Sequence, residues 1–395
     1  MAGGGKIEKQ RKMKRLILPL LLALLSAPAF GQQNYGEMST EQLQQAANAG
    51  DAGSQNALGY RYENGENVAQ DYGQAFLWFS RAAEKGHADA QNNVGRCYYN
   101  GTGVERDYRQ AVHWYTKSAE QGNFWAQCNL GYCYENGLGV ERDYDRALHW
   151  YRLSAEQGHA EAQNNVGRCY YFGNGVDRDY RQAVLWYSKA ATQGHAWAQY
   201  NLGYCYSQGL GTPKDEKKAM YWILKAAEQG IADAQSNVGR CYYFGNGVEQ
   251  DNEQAFAWFM KAARQGDAWA QGSVAHCYEN GLGVAKDYEQ AFHWYKLSAE
   301  QGNAMAQTMV GHCYLEGRGV GLNYGQAVYW YRLAVEQGYA GAQNALGVCY
   351  LNGYGVGVDY EKAVDLFVKA ARQGYADAET NLEICRENGI IMERD

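Results

Sequence analysis

Ala126-Gln127-Cys128-Asn129-Leu130-Gly131-Tyr132-Cys133-Tyr134 runs on through Gly137-Leu138-Gly139-Val140 to Trp150-Tyr151 and closes at Ala155-Glu156-Gln157-Gly158. It is one copy of a unit that returns every 36 residues. The glycine of its Leu/Val-Gly pair stands at Gly59, Gly95, Gly131, Gly167, Gly203, Gly239, Gly311 and Gly347, and Ala275 and Glu383 fill the two remaining register positions. A fixed period of this length argues against one globular core. It predicts stacked helical pairs, each too small to bury its apolar face without a neighbour.

Within residues 88–122, apolar Ala88, Val94, Cys97 and Tyr98 recur at helical spacing, and Gly101 stops that first helix. Thr102-Gly103-Val104 makes the turn, with Val104 tucked inward. Asp107 then caps the second helix, and Gln110 three residues on fits a capping box. The Asp recurs at 71, 143, 179, 215, 251, 287 and 359, with Asn323 in the same role. Trp78, Trp114, Trp150, Trp186, Trp222, Trp258, Trp294 and Trp330 form a ladder that the spacing assigns to the core, and Leu366 takes the place in the last pair. Small residues such as Gly95, Ala111 and Ala119 let two helices approach closely.

These residues resemble the Sel-one-like repeat (SLR) family, a relative of the tetratricopeptide repeats. The family pattern is Ala-x-x-x-Leu-Gly-x-x-Tyr-x-x-Gly-x-Gly-Val, followed at set distances by Asp, Ala, Trp-Tyr, Ala-Ala and Gly. The match runs from residue 52 to about 388. The resemblance implies an all-α, right-handed α/α solenoid and a binding scaffold. It says little about the partner, because one scaffold serves many functions.

The expected organisation is a signal peptide over 1–31, an N-terminal capping helix within 32–51, nine 36-residue helix-hairpin repeats over 52–375, and a C-terminal capping helix and tail over 376–395. Ser39-Thr40-Glu41-Gln42 reads as a capping box opening a lone second-type helix that ends at Gly50. Ala376 to about Asn388 reads as a lone first-type helix. These half-repeats would cover the two ends of the stack.

Residues 1–31 read as a secretory leader. Lys6, Lys9, Arg11, Lys12, Lys14 and Arg15 precede Leu16–Leu25, an apolar run too short to span a bilayer, and Ala29-Phe30-Gly31 offers a cleavage site. Removing six basic residues and one acidic residue from totals of 36 and 43 leaves a formal charge of −12. That charge argues against nucleic acid or an anionic membrane surface as partner. Only Pro213 remains after cleavage, as suits a helical chain.

A second period of 72 overlies the first. Asn92-Asn93-Val94-Gly95-Arg96-Cys97-Tyr98-Tyr99 returns at 164–171 and, with Ser236 first, at 236–243, alternating with units that carry Trp-Ala-Gln. The variation falls on one helical stripe, Asp89, Asn92, Arg96 and Tyr99. In the tetratricopeptide relatives the matching stripe lines a concave groove. Along it the top row reads Asp89, Trp125, Glu161, Trp197, Asp233, Trp269, Met305. The middle row reads Arg96, Tyr132, Arg168, Tyr204, Arg240, His276, His312, and the lower row Tyr99, Glu135, Tyr171, Ser207, Tyr243, Glu279. One reading is internal: arginines stack on tyrosines and pair with carboxylates. The other is a partner-binding groove with Trp and Arg anchors, made of Asp89, Arg96, Tyr99, Trp125, Tyr132, Glu161, Arg168, Tyr171, Trp197, Tyr200, Tyr204, Arg240, Tyr243, Trp269, His276 and His312.

Nine of the ten cysteines fall one per repeat, two residues after the Leu/Val-Gly glycine. Equivalent helices lie roughly 10 Å apart, beyond the roughly 7 Å a disulfide tolerates. They therefore read as buried small hydrophobes. Cys128 is extra and reads as an exposed thiol on the groove stripe. The resemblance also extends to a secreted cysteine-rich branch described as β-lactam-binding or β-lactam-hydrolysing. That branch carries two cysteines per repeat, and this chain lacks the second ladder. It also lacks Ser-x-x-Lys, His-x-His-x-Asp, His-Glu-x-x-His and Gly-x-Ser-x-Gly motifs. His276 and His312 could be neighbours on the stripe, but two histidines do not make a metal site. No catalytic set, metal or cofactor is expected. The reading is an exported, periplasmic or secreted bacterial adaptor that binds a protein or peptide. A glycan-binding module and a β-lactam-binding protein are the alternatives.

Overall fold

The computed structural model describes residues 35–390. The expected leader over 1–31 lies outside the described residues. Twenty α-helices follow one another between Thr40 and Glu387, and no strand occurs among the described residues. The fold is an all-α solenoid in which every helix packs mainly on its two neighbours in sequence.

The repeat containing Gly131 shows why the elements form. Asn123 opens the first helix, Phe124–Asn136, by accepting from the Ala126 amide, and Gly137 closes it in the left-handed conformation at φ 69°. The turn must then pass against the preceding repeat. A Cβ on Gly139 would lie 2.2 Å from the Tyr108 carbonyl oxygen, and φ there is +71°, so only glycine fits. Val140 is half-buried as the turn predicts. Asp143 caps the second helix, Tyr144–Glu156, by accepting from the Arg146 amide. Asp107 likewise serves the amides of Arg109 and Gln110. At the entrance, Ser39 and Gln42 close the full reciprocal capping box of Thr40–Asn48.

The close approach of the two helices is built on a glycine facing a ring. A Cβ on Gly131 would meet Tyr151 Cδ1 at 2.7 Å, and one on Gly167 would meet Tyr187 Cδ1 at 2.6 Å. Phe79, Tyr115, Phe259, Tyr331 and Phe367 repeat the arrangement, and Ile223 substitutes in one repeat. The ladder tryptophans are the point where the expected core shifts. Trp78 and Trp330 are buried, whereas Trp114, Trp150, Trp186, Trp222, Trp258 and Trp294 are only half-buried. Each of these lies across the cluster of a neighbouring repeat. The residue after each Trp fills the centre instead, because it faces the glycine, or Ala275 in the case of Tyr295.

A polar thread runs beneath this core. Gln127 donates to the Ala119 carbonyl at 3.2 Å and accepts from Gln157 at 2.8 Å. The Gln of each Ala-Gln pair does the same from Gln91 to Gln307, and Gln343 accepts from Gln373. These buried amides pin each repeat to the next in one register.

The ladder cysteines are free thiols, buried except for half-buried Cys241. Cys128 corrects the expectation of an exposed thiol. It is 6% exposed and packs with Ala162, Val166 and Cys169 of the next repeat. Its row is filled by Asn92 and Asn164 in adjacent units and faces the neighbouring first helix rather than solvent.

Candidate functional site

First helices of successive repeats form one continuous face, and their side chains are joined across it. Asn129 donates to Asn92 at 3.0 Å, Asn201 to Asn164 at 3.0 Å, and Asn237 to the Tyr200 hydroxyl at 3.1 Å. Asn165 reaches the Cys128 sulfur at 3.9 Å. The asparagine after each of these row positions was not among the candidate residues. Its signal was present as Asn at a constant step of 36, but its partner lies 37 residues back, in the preceding repeat.

The lower edge of the face alternates ion pairs with aromatic pairs. Arg96 meets Glu63 at 2.7 Å, and Arg168 meets Glu135 at 3.2 Å. Between them Tyr99 and Tyr132 contact edge-on, with ring centroids 6.3 Å apart. Further along, the Tyr243 hydroxyl and His276 Nε2 are 3.2 Å apart, and Arg318 meets Glu279 at 3.1 Å. The internal reading therefore accounts for Arg96 and Arg168, whose partners Glu63 and Glu135 come from the preceding repeat. Tyr99 and Tyr171 also contact Tyr108 and Tyr180 at the start of their own second helices. Arg240 stands apart: it is exposed and donates to Asn237 of its own helix at 2.8 Å.

The upper edge carries the tryptophans. Trp125 is 46% exposed and Trp269 is 41% exposed. Trp125 lies edge-on to His159, centroids 4.4 Å apart, and Trp269 touches the buried Phe259 at 5.7 Å. Trp197 differs from the expectation of three equivalent exposed indoles. It is half-buried, its Nε1 is enclosed, and its ring meets Tyr200 edge-on. At the next helix entrance Ile231 stands in the position of His159 and joins an apolar cluster with Tyr200, the ring that Trp197 meets. Asp89 accepts from Asn123 at 2.7 Å, and Glu161 accepts from His195 Nε2 at 2.8 Å. His195 Nδ1 accepts the Ala198 amide as a helix cap, which places the proton on Nε2. His159 makes no such cap. Its Nδ1 faces the Ser154 hydroxyl at 3.0 Å, and burial, only partly offset by Glu161, pushes its pKa down to about 4.

His276 and His312 are not brought onto one centre. His276 is held by Tyr243 and Asn280, and His312 by the Tyr331 hydroxyl at 2.9 Å. Among the described residues no cluster of three or more His, Cys, Asp or Glu could hold a metal. No described helix is long and apolar enough to cross a membrane.

The Sel1 repeat profile matches nine times, at residues 52–87, 88–123, 126–159, 160–195, 198–231, 232–267, 270–303, 304–339 and 340–375. The chain belongs to the Sel1 repeat family. Among solved structures, this Sel1 repeat chain is similar to a protective antigen present in uropathogenic Escherichia coli strains that displays an SLR fold. The identity is 39%, over 91% of this chain and 85% of the antigen, with a TM-score of 0.70. It is also similar to a Sel1 repeat protein from Oxalobacter formigenes, at 35% identity over 78% of this chain and 89% of that one, TM-score 0.57. A curated relative, the secretory immunoglobulin A-binding protein EsiB of Escherichia coli, is 43% identical over 73 residues. That stretch spans 18% of this chain and 14% of EsiB. A Sel1 repeat array of this kind is a repeat scaffold for protein interaction.

Proposed function

We propose that this Sel1 repeat chain is an exported adaptor whose first-helix face binds a protein or peptide partner, in the cell envelope or outside it. The observation that carries the reading is the pair Trp125 and Trp269, left 46% and 41% exposed on a face where most other long side chains are tied to a neighbouring repeat. Large indoles held in water contribute little to stacking, and such side chains are the usual anchors of an interface. Arg240, Tyr243 and His276 supply polar and cationic contacts beside them. Tyr99, Tyr132, Tyr171, Tyr200 and Tyr204 extend the aromatic surface, and Asp89, Glu161, Arg96, Arg168 and His312 form its polar frame. The basic, then apolar, then small-residue pattern of 1–31 supports export. EsiB is named for binding secretory immunoglobulin A, which makes a secreted host protein the partner class to test first.

The test is site-directed photo-crosslinking. Benzoylphenylalanine is placed at 125, at 269, or at 113, whose exposed His lies on a second helix. The three proteins are offered secretory immunoglobulin A and bacterial envelope extract. Adducts from 125 and 269 but not from 113 are expected. Equal adducts from all three, or none from 125 and 269, would overturn the assignment of the face.

A further inference from the structure

The repeat array contains its own template for how this face holds a carboxylate. A residue at the lower edge of one repeat faces the middle position of the next, 33 positions later. Twice that pairing is Glu to Arg: Glu63 with Arg96 at 2.7 Å and Glu135 with Arg168 at 3.2 Å. The 72-residue period predicts a third, at 207 and 240. The arginine is present, but the glutamate is not. Ser207 stands there, too short to reach across, and its hydroxyl donates back to the Tyr204 carbonyl at 2.8 Å. Arg240 keeps one hydrogen bond to Asn237 and is exposed, where Arg96 and Arg168 are half-buried. The geometry of the two complete pairs thus defines a seat beside Arg240 that the side chain at position 207 leaves unfilled.

We propose that this seat receives the side-chain carboxylate of an Asp or Glu from the bound protein segment, which takes the place of the missing glutamate. The inference rests on the first-helix face being the binding face. A guanidinium is suited to the task, because its planar fork matches a carboxylate with two parallel hydrogen bonds. The surroundings restrict the occupant. Tyr243 and His276, bonded to each other at 3.2 Å, flank the seat, and Asp233 lies two turns up the same helix. Both Asp233 and Arg240 act electrostatically on Tyr200. One guanidinium fork takes one carboxylate, so a single acidic side chain is the occupant. Trp197 and Trp269 stand one repeat to either side. Neighbouring helices are about 8–10 Å apart, and an extended chain rises about 3.3 Å per residue. One repeat thus spans about three residues of an extended ligand, which puts apolar side chains at −3 and +3 from the acid.

The experiment uses the full mature chain and fluorescent 13-residue peptides with Leu at −3 and +3 and Glu, Asp, Gln or Asn at the centre. Wild type is expected to bind the Glu and Asp peptides roughly tenfold tighter than the Gln and Asn peptides, the usual scale of a charge-assisted pair at a partly exposed site. Ser207→Glu supplies the missing internal partner. It should remove that preference while leaving thermal melting equal or raised, which shows that the protein remains folded. Arg240→Gln should remove the preference in the same way. A wild type that does not discriminate, a preference that survives Ser207→Glu, or no peptide retained at millimolar concentration overturns the proposal. So does displacement by polygalacturonate with no peptide binding, since the occupant would then be a glycan. Trp125→Ala/Trp269→Ala separates the two levels. If it weakens all peptides alike while Ser207→Glu changes nothing, the binding face stands and the carboxylate seat falls. If neither has any effect, both fall.

Discussion

Glu135 holds Arg168 of the following repeat at 3.2 Å through one oxygen and accepts the Tyr151 hydroxyl of its own repeat at 2.7 Å through the other. One carboxylate thus joins both helices of a hairpin to the next hairpin. Tyr151 is the fully buried ring that faces Gly131, so the charged edge and the core share a residue. Glu279 repeats the arrangement with Tyr295 at 2.9 Å and Arg318 at 3.1 Å.

A double-mutant cycle on Glu135→Gln and Arg168→Gln measures that link. Both side chains keep some contact with water, so a coupling of about 1 kcal/mol is expected. The single Glu135→Gln change should cost more than Arg168→Gln, because it also weakens the bond that satisfies the Tyr151 hydroxyl. Urea midpoints check the order. Equal single-mutant costs with no coupling would mean that the repeats are held by the core and the glutamine thread alone.

The position after each ladder Trp, not the Trp itself, should dominate stability. Tyr187 is 2% exposed and faces Gly167 at contact distance, whereas Trp186 is half-buried under Lys189 at 4.0 Å. Tyr187→Ala should cost about 3–5 kcal/mol, and Trp186→Ala clearly less. Denaturant titration of the two variants decides it. A larger loss for Trp186→Ala would restore the tryptophan ladder as the centre of the core.

Much of this fold is legible in the chain because its determinants are local. Gly137 and Gly139 need positive φ, Asp143 needs to cap, and both act within a few residues of themselves. The start of the helix at Ser39 follows from the same kind of local rule, a reciprocal side-chain cap. What escapes a repeat-by-repeat reading is set by offsets between repeats. Glu135 finds Arg168 at 33 residues, Asn129 finds Asn92 at 37, and Gln157 finds Gln127 at 30. Exposure of the face escapes for the same reason. Trp125 and Trp197 occupy one register position, yet the residue that opens the next helix, His159 or Ile231, gives them different surroundings. The stripe of a single helix leaves Cys128 exposed, whereas the first helix of the next repeat covers it.

His159 should make the upper edge of the face acid-sensitive. It is neutral in the fold, with a pKa near 4 against an ordinary value of 6.5. Its ring lies among Phe124, Trp125 and Ser154, with Glu161 and His195 the charged or titratable groups that act on it. Above pH 6.5 the residue is neutral in both folded and unfolded states and costs nothing. As pH falls from about 6.5 towards 4, the unfolded chain takes up a proton that the fold resists, so stability is lost across that window. Partial contact with solvent limits the loss to the order of 1–2 kcal/mol. His159→Asn removes the titration and supplies a capping side chain of the kind Asn123 and Asn303 already provide. Melting temperatures of the two proteins should diverge below pH 6.5. Parallel curves down to pH 4 would show that His159 is protonated in the fold without penalty.

The buried thiols give a reading of how the array opens. Burial pushes Cys97, Cys133, Cys169, Cys205 and Cys313 up to about 12, and Cys277 and Cys349 to about 11. A thiol with a pKa of 12 holds only about one part in ten thousand as thiolate at pH 8, and the thiolate is the reactive form. Raising the pH to 9 gains a factor of about ten and still leaves the sulfur shielded. A disulfide reagent at pH 8 should therefore leave the native chain nearly untouched. Half-buried Cys241 is the position expected to react first. Cys241→Ala should delete that early phase, and urea should release all ten thiols. Because repeats in a solenoid open in contiguous blocks, the order in which the remaining thiols appear with rising urea should follow the chain from one end. Release of several thiols while helical circular dichroism stays native would contradict a ladder that serves only as packing.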